Sequence, residues 1–168
     1  MTNTKTVVIG ALFAVIAALI QLVPILLSEI FVFFTIFSAV PIYIVSRINP
    51  KAGVLSYFVA SMIVMLLSTH EGLFFLCTNG IVGISLGIGC YYTKMKAITW
   101  FLSSLVLTIT LSIMNYGIGI PVFGSKIPGV MIIQIAIIFL FSAIYNIFYY
   151  YFLSYIFNLL KRFKVYWT

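Results

Sequence analysis

The stretch "TVVIGALFAVIAALIQLVPILLS", residues 6–28, contains no charged side chain in 23 residues. A helix that crosses the hydrocarbon core of a bilayer needs about 20 mainly apolar residues, so this run can span a membrane once. The whole chain shares this character, because 64% of its 168 residues are hydrophobic and 7% are charged. Soluble domains carry about 25% charged residues. The composition therefore predicts an integral membrane protein.

The charged residues divide the chain into six apolar runs, which are 6–28, 30–46, 52–70, 72–93, 97–125 and 127–160. Each run is long enough to cross once as a helix, and none shows the short alternating strands of a β-barrel. The first run is too long for the apolar core of a signal peptide, so we expect it to be retained. We predict an all-α, integral membrane six-helix bundle, 1–168, forming a single domain. Its approximate spans are 6–28, 30–46, 52–68, 72–92, 97–117 and 129–160.

The distribution of basic residues predicts the orientation. With six spans both termini share a side, and that side carries eight of the nine basic residues, namely Lys5, Arg47, Lys51, Lys94, Lys96, Lys161, Arg162 and Lys164. Lys126 and both acids, Glu29 and Glu71, fall on the other side. Cytoplasmic loops of membrane proteins carry an excess of Lys and Arg. We therefore predict cytoplasmic N and C termini and a multi-pass protein of the cell (plasma) membrane.

Polar side chains inside the apolar runs cluster toward the predicted outer side. Gln21, Asn79, Asn115 and Gln134 come from four different spans and all fall in the outer half. Amides in lipid are costly unless they are paired, so they should face the bundle interior. They can join helices to one another, or they can line a ligand pocket open to the outside. For the pocket, the predicted substrate-binding residues are Glu29, His70, Glu71, Asn79, Asn115, Tyr116 and Gln134, with the Gly/Pro-rich loop 117–129 as a lid.

Small and aromatic residues give three further patterns. Gly10, Ala14 and Ala18 recur every four residues in the first span and predict a helix-docking face, either for a partner or within the bundle. In "NGIVGISLGIG", residues 79–89, Gly83 and Gly87 predict close helix packing. The aromatic residues of 145–157 are typical of a membrane-interface belt.

The sequence contains little that could carry catalysis. It has one histidine and no aspartate, which excludes a Ser-His-Asp triad and leaves no metal motif. No Walker A motif is present, and the basic residues flank apolar runs instead of forming a nucleic-acid-binding stripe. Cys77 and Cys90 are expected to be packing residues. We predict no enzymatic activity, no metal, no cofactor and no nucleic-acid partner.

These features together resemble a known transporter family. A chain under 200 residues with six spans, cytoplasmic termini, outward polar groups and the Ala14-xxx-Ala18 motif is similar to the substrate-binding S components of energy-coupling-factor (ECF) transporters. The resemblance implies capture of a small organic micronutrient, such as a vitamin, near the outer surface. It also implies docking through the small residues of the first span, Gly10, Ala14 and Ala18. The partners would be a transmembrane coupling protein driven by two ATPase subunits.

A second resemblance leads to a different class of function. Rod-shape-determining scaffold proteins of the MreD kind are similar in length and number of spans, and they need no small-molecule ligand. A binding protein needs amides that converge on an outer pocket, whereas a scaffold does not. Co-purification of ATPase subunits or of cell-wall machinery would separate the two.

Overall fold

The chain folds into a bundle of membrane-length helices. The computed structural model describes residues 4–93, 95–123 and 130–162, and these contain helices and no strand. The helices are α1 (Thr4–Leu26), α2 (Ala39–Ile48), α3 (Pro50–Leu67), α4 (Thr69–Cys77), α5 (Asn79–Tyr92), α6 (Lys96–Ser112) and α7 (Met131–Arg162). A 3-10 helix, Glu29–Ser38, leads into α2, and a π-helical turn, Ile113–Ile118, continues α6. Lys94, Lys126, Lys164 and residues 124–129 of the predicted lid lie outside the described residues.

Within the described residues, six helical segments are long and apolar enough to cross a membrane, which confirms the predicted fold class. They are Thr6–Leu26, Glu29–Ile48, Pro50–Leu67, Thr69–Tyr92, Lys96–Ile118 and Met131–Arg162. All of them begin and end within a few residues of the predicted spans. We call the end of the bundle that carries Glu29 and Glu71 the acidic end. The end where α2 and α7 finish is the basic end, and it carries Arg47 and Lys161.

Short polar caps separate consecutive spans. Asn49 accepts hydrogen bonds from the backbone N–H groups of Lys51 and Ala52, at 3.1 and 3.3 Å, and Pro50 occupies the first turn of α3. Proline suits this position because the first N–H groups of a helix have no partner within the helix. At the acidic end, Ser68 caps α4 by accepting from the backbone N–H of Glu71 at 3.4 Å. These caps satisfy some of the backbone N–H groups that have no partner within the helix where the chain turns between spans.

Glycine brings α2 and α5 into direct backbone contact. A Cβ added at Gly83 would lie 2.6 Å from the carbonyl oxygen of Ala39. One added at Gly87 would lie 2.5 Å from the Cβ of Ser46. Both are closer than real Cβ atoms approach other heavy atoms, so only glycine fits at these positions. The prediction that Gly83 and Gly87 serve close packing is therefore confirmed.

The fully buried tyrosine of α7 corrects the interpretation of its aromatic residues as an interface belt. Tyr149 is 0% exposed and donates a hydrogen bond to the carbonyl oxygen of Ile36 at 3.0 Å. Tyr151 and Tyr155 are exposed on the same helix. Sequence alone does not give the rotation of a helix whose sides are all apolar, so the buried tyrosine was not distinguishable from the exposed ones.

Candidate functional site

A cavity of about 230 Å³ lies among the helices at the acidic end. One water occupies about 30 Å³ in the liquid, so the space exceeds what a single solvent molecule fills. Its polar wall consists of Gln21, Thr35, Thr78, Asn79 and Tyr145. The other lining residues are apolar, and they are Ile36, Phe74, Leu107, Leu111, Met114, Val122, Phe123 and Phe141. None of these described lining residues is charged.

Asn79 is the centre of the polar wall. It is 6% exposed, and its amide nitrogen donates to the carbonyl oxygen of Thr35 at 2.9 Å and to the side-chain oxygen of Gln21 at 3.4 Å. Its amide oxygen accepts from the hydroxyl of Tyr145 at 2.9 Å. These contacts join the first, second, fourth and sixth spans through one side chain.

Gln21 extends this network to Glu71, which is one of the predicted substrate-binding residues. Its amide nitrogen donates to the carboxylate of Glu71 at 2.8 Å, and its oxygen accepts from the hydroxyl of Ser38 at 2.9 Å. Glu71 is half-buried, so a hydrogen bond from an amide partly replaces the water that it gives up. Glu71 thus fixes the orientation of Gln21, and through it the polar wall, without lining the cavity itself.

The polar wall retains hydrogen-bonding capacity after these bonds are made. Gln21 has two amide hydrogens, of which one bonds Glu71. Tyr145 and Thr78 each donate their single hydroxyl hydrogen within the protein, to Asn79 and to the carbonyl oxygen of Phe74, and each keeps oxygen lone pairs. The wall can therefore offer one donor and two acceptors to a molecule in the cavity.

Two irregular helical segments contribute to the cavity. Thr35 and Ile36 belong to the 3-10 helix, and Met114 belongs to the π-helical turn. Runs of 3-10 helix beyond about four residues are uncommon, and π-helical turns often occur at functional sites. At membrane depth such backbone is tolerated where it is buried in protein or lines a cavity. Both irregular segments contribute lining residues to this cavity, so the irregular backbone and the cavity occur together at the acidic end.

The structure brings together only part of the predicted site. Asn79 lines the cavity and Glu71 is linked to it through Gln21. Tyr116 and Gln134 bond each other, with the tyrosine hydroxyl 2.5 Å from the amide oxygen, and this pair joins the π-helical turn to α7. The remaining predicted residues are at the acidic end but outside the cavity lining: Glu29 and His70 are exposed, and Asn115 is half-buried.

Several residues that line the cavity were not among the predicted substrate-binding residues. Gln21 had a visible signal, because an amide in an apolar run demands a partner, but it was not among the predicted substrate-binding residues. Tyr145 and Tyr149 are four residues apart, which puts them on one face of α7. Thr35 contributes through its backbone carbonyl, and no side-chain pattern reports that contact.

The stripe of small residues on α1 packs inside the chain. Ala14 is 0% exposed and belongs to a buried cluster that includes Tyr57 and Ala60 of α3, and Ala18 is 1% exposed and belongs to a second buried cluster with Val64 of α3. Gly10 is also buried, and its carbonyl oxygen accepts from Ser56 at 2.9 Å. Of the two alternatives for the stripe, the structure has docking within the bundle, and Ala14 and Ala18 present no surface to a partner.

We expect Ala14→Leu to lower the free energy of unfolding by about 1–3 kcal/mol, because the added atoms must enter a filled contact between α1 and α3. The matched control is Ala11→Leu on the exposed side of the same helix, which should change stability by less than about 0.5 kcal/mol. Thermal unfolding of the purified variants in detergent measures both. If Ala14→Leu melts at the same temperature as the unmodified protein, Ala14 does not pack tightly against α3. The stripe would then be available as a docking face for a partner.

Comparison with known proteins adds no family to this description. No protein-family model matches the chain, and no curated protein and no solved structure matches it.

Proposed function

We propose that the protein is a membrane-embedded binding subunit that takes a small, uncharged organic molecule into the cavity at the acidic end. The observation that carries this proposal is the combination, in one cavity, of several hydrogen-bonding side chains with an apolar, partly aromatic lining. Ligand sites are mainly apolar with a few convergent polar groups, and this cavity has that composition. The lack of charge among its described lining residues favours a neutral ligand, since a buried unpaired charge is costly.

The chemistry of the ligand follows from the aromatic and the hydrogen-bonding residues that line the cavity. Phe74, Phe123 and Phe141 favour an aromatic or flat apolar body, because aromatic pairs contribute about 0.5–1.5 kcal/mol beyond the area they bury. Gln21 can donate to an acceptor on the ligand, and Tyr145 and Thr78 can accept from its N–H or O–H groups. A small heteroaromatic micronutrient meets these requirements.

Within transport, the proposal is an ECF-type S component in the plasma membrane. The support is the six-span fold, the length of 168 residues and the cavity at the end that charge distribution predicts to face outside. The chain has no Walker A motif, so uptake would depend on a coupling protein and two ATPase subunits. Since Ala14 and Ala18 are buried, that coupling protein would contact the exposed side of α1, where Ala11, Leu12 and Val15 lie.

One observation favours the alternative of an MreD-like scaffold without a ligand. The polar atoms of Asn79 are bonded within the bundle, to Thr35, Gln21 and Tyr145. Such a network holds four spans together without any bound molecule. A scaffold and a binding subunit therefore differ in whether the cavity is occupied during function.

A cavity-filling substitution tests the proposal. Met114 is 0% exposed and lines the cavity, whereas Ile113 precedes it on the same turn and is 55% exposed. We expect Met114→Phe to reduce ligand binding at least tenfold with little loss of stability, because the larger ring enters existing space. Ile113→Phe adds a similar ring on the exposed side and should leave binding unchanged.

The measurement begins with mass spectrometry of small molecules that co-purify with the protein, followed by titration of a panel of vitamins and nucleobases. Tyr145→Phe gives an independent check, since it removes one hydroxyl and should weaken binding about fivefold at nearly constant volume. If no compound binds, and cell-wall proteins co-purify in place of ATPase subunits, the scaffold is the function. If a compound binds equally well to Met114→Phe, the site is elsewhere.

A further inference from the structure

Two cations converge on one aromatic ring at the basic end. The guanidinium carbon of Arg47, in the last turn of α2, lies 4.1 Å from the ring centroid of Phe157. The ammonium nitrogen of Lys161, in the last turn of α7, lies 5.4 Å from the same centroid. The ring attracts each cation by about 0.5–1 kcal/mol at an exposed site, while the two like charges repel each other. An anion between or beside them would remove this repulsion.

The protein supplies no such anion in the part that the structure describes. Both of its acidic side chains, Glu29 and Glu71, are at the acidic end, a membrane thickness away. Arg47 is half-buried and makes one described hydrogen bond, from its Nη1 to the hydroxyl of Tyr43 at 2.6 Å. A guanidinium has five N–H donors, so most of them remain available.

The arrangement also holds the guanidinium in place. Tyr43 is fully buried, it bonds Arg47, and its hydroxyl oxygen lies 3.4 Å from that of Ser154 on α7. With Phe157 stacked against it, the guanidinium is positioned from two helices. Its planar fork matches the geometry of a phosphate, which it can bind with two parallel hydrogen bonds.

We propose that Arg47 of α2 and Lys161 of α7, which both contact the ring of Phe157, form a binding site for the phosphate of an anionic phospholipid. The site lies where two membrane spans end, which is the level of the lipid headgroups. Two positive charges favour a headgroup with net negative charge over a zwitterionic one.

The test compares lipid binding by the full-length chain in detergent, with phosphatidylglycerol and phosphatidylcholine as probes and native mass spectrometry as the measurement. We expect the unmodified protein to bind phosphatidylglycerol at least fivefold more tightly than phosphatidylcholine. Arg47→Gln should abolish this preference, and Arg47→Lys should retain part of it because the charge stays and the fork is lost. Lys51→Gln removes an exposed charge at the same end and should keep the preference.

Three outcomes would contradict the proposed lipid site. Equal binding of the two lipids, or an equal loss in Lys51→Gln, means that the attraction is diffuse surface charge. Displacement of the lipid by millimolar inorganic phosphate, at matched ionic strength, means a soluble anion is the ligand. Displacement by an acidic peptide at the same charge concentration assigns the site to a protein partner. If Arg47→Gln does not fold, Lys161→Gln decides, because Lys161 is exposed and its loss should still reduce the preference severalfold.

Discussion

Asn79→Ala is expected to lower both the stability of the protein and its affinity for a ligand. The side chain makes four hydrogen bonds to groups on other spans, those to Thr35, Gln21, Tyr145 and Tyr149. Hydrogen bonds between membrane helices contribute about 0.6 kcal/mol on average and up to about 1.7 kcal/mol. We therefore expect a loss of about 2 kcal/mol in the free energy of unfolding, measured by thermal or denaturant unfolding in detergent.

The affinity should fall by roughly 5- to 150-fold, because Asn79 orients the two groups, Gln21 and Tyr145, that would bond the ligand. Asn146→Ala is the matched control. Asn146 is also a buried amide, it accepts from Ser103 at 2.6 Å and donates to the carbonyl oxygen of Ser142 at 2.8 Å, and it is not among the cavity-lining residues. The control should lose about 1 kcal/mol of stability and no affinity. Equal affinity losses in both variants would mean that binding merely follows stability.

The double substitution of Gly83→Ala and Gly87→Ala is expected to destabilise the bundle strongly. Each new methyl group would lie closer than 3 Å to α2, at the carbonyl oxygen of Ala39 and at the Cβ of Ser46, and the obstacle includes backbone that cannot rotate away. Overpacking of this kind costs about 1–3 kcal/mol per site. We expect the double variant to melt well below either single variant in a thermal scan.

Gly117→Ala provides the control for this prediction. The nearest atom to a Cβ at Gly117 is a methyl group of Ile113 at 3.6 Å, which is ordinary contact. Its melting temperature should stay close to that of the unmodified protein. If the double variant also melts normally, α2 and α5 do not need their close approach, and the glycines would have to be explained by another role.

The sequence predicted the spans well because charge and hydropathy act along the chain, residue by residue. Six apolar runs bounded by charged or capping residues leave few other arrangements in a membrane. The same signals do not tell which side of a helix faces inward. Ala14 and Ala18 were therefore compatible with either an internal or an external contact, and only the packing against α3 distinguishes them.

The candidate site was predictable in location but not in composition. Buried amides must be paired, so Gln21, Asn79 and the nearby Glu71 could be expected at one end. The contribution of Thr35 depends on a backbone carbonyl in a 3-10 helix, which composition does not indicate. The contribution of Tyr145 depends on which side of an apolar helix turns inward.

The 3-10 helix changes the reach of the second span across the bilayer. Its ten residues rise about 2.0 Å each, against 1.5 Å in an α-helix, so Glu29–Ser38 extends about 20 Å where an α-helix would extend about 15 Å. The 20 residues of Glu29–Ile48 therefore measure about 35 Å. The 24 residues of Thr69–Tyr92, against which this span packs, form α4 and α5 with a break at Thr78, and together they measure at most about 36 Å. The tighter winding and larger rise of the 3-10 helix thus let a span of fewer residues reach about as far across the bilayer as its longer neighbour, so the lipid around it need not thin.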